Sequence, residues 1–197
     1  TGEVASTKVV SVSGPGVAEE ARKHYRVRIG GTFKSVFNGH INSGEHRVIS
    51  GDLLGGQEVA RESGIRFYDH AIVVIPEGRE RHFIGWLSPG LNKYSRSPLY
   101  LSRWFKAGAR WKLNTNENGS HRAMVLTGLY DTVMPMRIKV DYLVRAVLAH
   151  DTEEAVQLGL LETAPEDFAL CAFICPSKMD LVKIIRDGLA EVEEEGL

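Results

Sequence analysis

Hydrophobic and polar positions along the chain change their period, and the changes divide it into three stretches. In the first, over 1–60, Lys8–Ser13 is β-branched and apolar and stops at the turn signal Gly14-Pro15-Gly16. His24–Ile29 alternates apolar and basic residues, the period of a half-exposed strand. Gly30-Gly31 then opens a short helix-like stretch, Thr32–Phe37, with Phe33, Val36 and Phe37 on one face, and Arg47–Ser50 reads as a third strand. Strand, turn, strand, short helix, strand predicts a small β-grasp-like module. Any compact α+β module shares that pattern.

The middle stretch, 61–126, is β-rich. Ala71–Pro76 reads as a buried strand, Glu77-Gly78 as a turn and His82–Leu87 as the returning strand of a hairpin. Leu99–Lys106 predicts a short amphipathic helix ending before Gly108. Trp111–Asn116 and Ala123–Leu126 flank the polar turn Glu117–Ser120. From 127 to 197 the period becomes helical. Ile138, Tyr142, Leu143, Ala146 and Val147 form one stripe. Asp151 is placed to cap a helix from Thr152 to near Gly159. Thr163-x-x-Glu166 and Ser177-x-x-Asp180 read as capping boxes of two further helices. On the last, Leu181, Val182, Ile185, Leu189 and Val192 face inward, and Glu191–Glu195 forms a solvated acidic tail.

Composition narrows the classes. A hydrophobic content of 43%, a charged content of 25% and a net charge of −1 over 197 residues are those of an ordinary globular protein. Lys and Arg do not cluster, so no nucleic-acid partner is expected. No apolar run approaches the ~20 residues of a spanning helix, so no transmembrane segment is expected. The opening TGEVASTKVV has neither initiator Met nor signal-peptide pattern, as a cut piece of a longer protein would.

Both cysteines lie in Thr163–Lys178, as Cys171-x3-Cys175-Pro176. This is the back half of the C-x2-C-x2-C-x3-C-P run that holds iron–sulfur clusters in bacterial ferredoxins. The other two ligand places fall on Pro165 and Phe168, which carry no thiol. The frame recurs earlier, with Met124, Thr127, Tyr130 and Met134 at the four places and Pro135 matching Pro176. A similar helical run follows each proline. The expectation is a helical module resembling a two-cluster ferredoxin domain that has lost its ligands, Cys171 and Cys175 being remnants and no metal site remaining. Against it, two Cys at i, i+4 are also ordinary small core residues.

Other chemistry is sparse. Neither a dinucleotide fingerprint nor a phosphate-binding P-loop occurs, and Leu53 and Leu54 spoil Gly51–Gly56 as a phosphate cradle. Ser88, Ser95 and Ser97 lack a nucleophile elbow. His150, Asp151, Glu153 and Glu154 read as a helix cap and first turn, where the helix dipole favours anions. Glu77–His82 reads as a solvated charged turn of little energetic weight. No catalytic residue is expected.

Ordered islands along nearly the whole chain carry a resemblance. They include VVSVSGPGV (Val9–Val17), RVISGDLLGG (Arg47–Gly56), IPEGRERHFIGWLSPG (Ile75–Gly90), NKYS (Asn92–Ser95), HRAMV (His121–Val125), YDTVMP (Tyr130–Pro135) and EDFALCAFICPSK (Glu166–Lys178). The chain resembles the C-terminal part of the A subunit of the sodium-translocating NADH:quinone oxidoreductases (Na+-NQR), departing at Ala18–Lys23 and at Ser177, where Gly is commoner. The family is similar to the C subunit of Rnf-type complexes and the flavin subunit of respiratory complex I, in which a β-grasp domain precedes a cluster-binding helical domain. The resemblance implies a soluble-ligand-binding (SLBB-type) β-grasp module. It also implies a peripheral component on the cytoplasmic side of a membrane redox pump, docked on the other subunits. The whole complex uses flavins, iron–sulfur clusters, NADH and quinone; this chain is expected to hold none of these cofactors. A quinone-binding role is the alternative, its pocket candidates being Trp86, Tyr94 and Trp104.

Overall fold

The computed structural model describes residues 2, 4–37, 39–80, 83–85, 87–94, 100–105, 111–125 and 128–196. The chain is mixed α+β and divides into two compact units, Thr1–Asn118 and Gly119–Leu197. The first is built on a five-stranded sheet in the order β2-β1-β5-β3-β4. Its strands are β1 (Thr7–Ser13), β2 (His24–Arg28), β3 (His46–Ser50), β4 (Gln57–Glu58) and β5 (Ala71–Pro76). β1 and β2 are antiparallel, with Val9 opposite Arg26. β5 lies parallel to β1 and antiparallel to β3, so the middle stretch supplies the central strand.

Burial explains why this stretch must contribute. Val10 and Val12 of β1, Ile72 and Val74 of β5 and Val48 of β3 are all buried in one cluster. Helix α1 (Phe33–Phe37) adds Phe33, Val36 and Phe37 to the same cluster. Without β5, the inner face of the sheet would have a gap between β1 and β3. Gly14 makes the close turn possible: its φ is +107°, and a Cβ there would stand 2.2 Å from the Val74 carbonyl oxygen.

The expected hairpin is therefore not what β5 forms. Its partners are β1 and β3, and the described residues 83–85 and 87 of the expected return strand are turn and bend. Residues 82 and 86 lie outside the described residues. Within the described residues the expected helix is present as α2 (Ser102–Phe105), with Trp104 and Phe105 exposed; residues 99, 106 and 108 lie outside the described residues.

Glu77 corrects a second expectation. It is not a solvated turn residue but joins three segments. Arg47 Nε donates to Glu77 Oε1 at 2.9 Å, and Thr115 Oγ1 donates to Glu77 Oε2 at 2.6 Å. The Thr115 hydroxyl also accepts from Gly78 N–H at 2.9 Å, and Thr115 N–H donates to the Pro76 carbonyl at 3.3 Å. The hydroxyl donated by Thr115, and then Arg47, hold the Glu77 carboxyl below its usual value. No spacing rule brings residue 115 beside residue 77.

The second unit is helical: α3 (Val140–Leu148), α4 (Thr152–Gln157), α5 (Ala169–Ile174) and α6 (Leu181–Glu195), with short 3-10 turns at Tyr130–Thr132, Leu160–Glu162 and Pro165–Phe168. Asp151 caps α4, accepting from Glu154 N–H at 3.0 Å, and Gly159 follows in the left-handed conformation. Neither expected capping box forms. Asp180 caps α6 by accepting from Lys183 N–H, while Ser177 donates to the Ala123 carbonyl at 3.0 Å. Thr163 donates to the Leu160 carbonyl, and Asp167 accepts from Ala164 N–H at 2.9 Å. Tyr142, placed in the α3 stripe, is half-exposed; Val140 and Val144 take the inner face.

Glu77→Gln should destabilise the first unit by about 1–2 kcal/mol, the weight of a charged hydrogen bond discounted for partial exposure. A carboxyl lowered by folding contributes stability above the ordinary glutamate value of 4.5 and loses it as pH falls through the lower folded value. Denaturant titrations should therefore show the wild type losing its advantage over the Gln variant below about pH 4.5. An advantage unchanged down to pH 3 would refute the clamp.

Candidate functional site

The candidate site is the core of the helical unit, where the cysteines lie. Cys171 is fully buried in α5, and Cys175, 7% exposed, ends that helix before Pro176. Pro176 pushes the preceding residue out of the helical region, and Cys175 has ψ 117°. Both are free thiols. Phe168 at 0% and Tyr130 at 1% exposure pack in the same cluster, together with Met134.

Tyr130 and Cys175 meet directly. The phenol oxygen lies 3.0 Å from Cys175 Sγ, and Met179 N–H also reaches Sγ, at 3.5 Å. Burial, and then the contact with Cys175, push the Tyr130 hydroxyl well above the usual tyrosine value. Burial, then the carboxylates of Asp131 and Asp141, push the Cys171 thiol up to about 11. At neutral pH the Cys171 sulfur is a protonated, apolar filler rather than a nucleophile or ligand.

An iron–sulfur cluster does not fit these side chains. Of the eight ligand places in the two frames, Cys171 and Cys175 alone carry thiols, against four per cluster. Tyr130 and Phe168 fill two of the others. Among the described residues, no three His, Cys, Asp or Glu side chains gather as a metal site. His150 instead pairs with Glu191 at 2.8 Å, and Asp151 is engaged as the cap.

The quinone-pocket candidates scatter differently. Tyr94 is half-exposed and packs edge-on against Trp111, ring centroids 6.0 Å apart. Trp104 is 76% exposed, and Trp86 lies outside the described residues. Among the described residues, clefts are formed elsewhere. One of about 390 Å³ lies between β2 and α1, lined by Tyr25, Val27, Ser35 and His40 among others. Another, about 210 Å³, includes Asp131, Lys139 and Asp141. Tyr94 and Trp104 line neither.

Known proteins resemble this sequence closely. A family model described as the NQRA C-terminal domain matches residues 9–61, from within β1 through β4. The A subunit of the Na(+)-translocating NADH-quinone reductase of Saccharophagus degradans is 38% identical over 198 residues, which is 100% of this chain and 43% of that protein. The proteins of the same name from Teredinibacter turnerae and Haemophilus influenzae are each 39% identical, over 100% of this chain and 44% and 43% of their own lengths. The chain belongs to this NQRA family. It spans less than half the length of the relatives it matches. In this NQRA family member, no helix among the described residues is long and apolar enough to cross a membrane.

Alkylation tests the chemistry of the core. In the native protein at pH 8, Cys171 should resist iodoacetamide, and after unfolding both cysteines should react at ordinary thiol rates. Peptide mass spectrometry reads this out, and rapid native modification of Cys171 would contradict the burial described here.

Proposed function

We propose that this chain is a mainly structural, docking part of a sodium-pumping NADH:quinone oxidoreductase, the complex that couples electron transfer from NADH to quinone with sodium export. The observation that supports the reading is the helical core: its sequence frame resembles the ligand frame of a cluster protein, and Tyr130 and Phe168, at the corresponding places, are both buried. Within such a complex the flavins, clusters, NADH and quinone would be held by other parts. The position that fits is peripheral, on the cytoplasmic face of the inner membrane, against the other subunits.

The fold reading belongs to the same proposal. The order β2-β1-β5-β3-β4, with parallel central strands and α1 packed on one face, supports an SLBB-type β-grasp module over 1–60, completed by one strand from 61–126. The helical module over 127–197 is read as ferredoxin-derived and without clusters, on the repeated frame described above.

A second reading is direct quinone binding near Trp86, Tyr94 and Trp104. Its support is the large aromatic surface that Trp104 and Phe105 leave exposed.

A tagged form of the chain should recover the other subunits from detergent-solubilised membranes of cells lacking the full-length NQRA protein. Recovery of none by the folded chain would defeat the docking role. For the second reading, a quinone analogue should quench tryptophan fluorescence saturably, and Trp104→Ala should weaken the titration several-fold. Quenching that rises linearly without saturation would count against a quinone site.

A further inference from the structure

The two ligand frames are offset by a constant step, so that 124, 127, 130, 134 and 135 correspond to 165, 168, 171, 175 and 176. The same step relates the helices that follow. α3 begins at Val140 and α6 at Leu181, each the fifth residue after its proline. Val140 and Leu181 are equivalent and fully buried, as are Val144 and Ile185. The two helices meet at equivalent positions as well: a Cβ on Gly188 would stand 2.7 Å from Val147 Cγ1, and 147 corresponds to 188. Self-equivalent contact is what a local two-fold axis requires.

This symmetry gives the Tyr130–Cys175 contact a meaning. Tyr130 holds the third place of the first frame and Cys175 the fourth place of the second. In two-cluster ferredoxins the fourth cysteine of each run ligates the other run's cluster. The contact is therefore the crossed one, not a contact within one frame. Applied to the pair, the two-fold carries 130 to 171 and 175 to 134. Met134 and Cys171 are the symmetry mates, and both are buried in the same cluster.

We propose that the helical core preserves two crossed former cluster sites, one at residues 134, 165, 168 and 171 and the other ending on Tyr130 and Cys175. This rests on the ferredoxin-derived reading above. Cys171 and Cys175 then belong to different sites, although four residues apart. The other site would also need Thr127, outside the described residues, so the test uses the first.

In that site, Met134→Cys, Pro165→Cys and Phe168→Cys complete four thiols with the native Cys171. The triple variant is treated anaerobically with ferric iron, sulfide and a thiol reductant, which supplies the electrons that bring part of the iron to the ferrous state. Each cysteine gives up its proton as its Fe–S bond forms. The crossed arrangement predicts about four irons per chain with the visible absorbance of a cluster, and their loss when Cys171→Ser is added. The uncrossed set, Pro165→Cys and Phe168→Cys with native Cys171 and Cys175, should hold no stoichiometric cluster. If it loads as fully as the triple variant, the crossing is wrong while the ferredoxin-derived reading stands. If neither loads although circular dichroism shows the native helices, both are wrong.

Should loss of Phe168 unfold the unit, Met134→Cys alone decides the crossing. Under diamide, the thiol introduced at position 134 should crosslink in a Cys175→Ser background and not in a Cys171→Ser background. A crosslink to Cys175, or to neither, overturns it.

Discussion

A buried phenol set 3.0 Å from a buried thiol is the contact on which the helical unit turns. A polar hydrogen sealed in an apolar core costs free energy unless it meets an acceptor, and a thiol is a weak one. Tyr130 and Cys175 meet this constraint for each other, and Met179 N–H also donates to the sulfur. The pair ties the segment before Pro135 to the one before Pro176. The helices after those prolines can then pack α3 on α6, with Gly188 allowing the close approach to Val147. A larger residue at 188 would force Val147 out of its place and pull the two frames apart.

The first unit depends on a different constraint. Its central strand comes from beyond the module that the family model matches, which ends at residue 61. Residues 1–60 alone would leave the buried faces of Val10, Val12 and Val48 without Ile72 and Val74. Once β5 is in place, Glu77 at its end gathers Arg47 from β3 and Thr115 from a segment with no regular structure. A charged group that would be worth little on the surface becomes a joint, because Thr115 and Arg47 satisfy both oxygens.

What was legible in the sequence was local. The β-branched run Lys8–Ser13, the alternation of β2 and the stripe on α6 depend on neighbours two to four residues away, so periodicity found them. The cap at Asp151 was legible for the same reason. The capping boxes failed because Ser177 and Thr163 had other partners: Ser177 reaches back to Ala123, far away in sequence. The hairpin failed because a parallel pairing with β1 leaves no turn signal, and only the topology reveals it. Of the core, the ligand frame was visible as a pattern of wrong residue types. That Tyr130 meets Cys175 across the two frames was not, since no one-dimensional spacing encodes a two-fold axis.

Replacing a cluster by side chains changes what the fold depends on. A domain held by metal is coupled to metal supply, to pH and, for iron–sulfur, to oxidation, because its ligands must be deprotonated and its ion present. Tyr130 and Phe168 are independent of all three. Each buries an aromatic side chain worth roughly 4–5 kcal/mol at most by area, in a core whose Cys171 thiol stays protonated. Such a core is filled by its own side chains and needs no bound metal to complete it. The docking role proposed above calls for that independence, because a support in an electron-transferring complex must hold its geometry while its neighbours are reduced and reoxidised. On the proposed docking function, buried aromatic side chains at these places suit the unit's use as a fixed support.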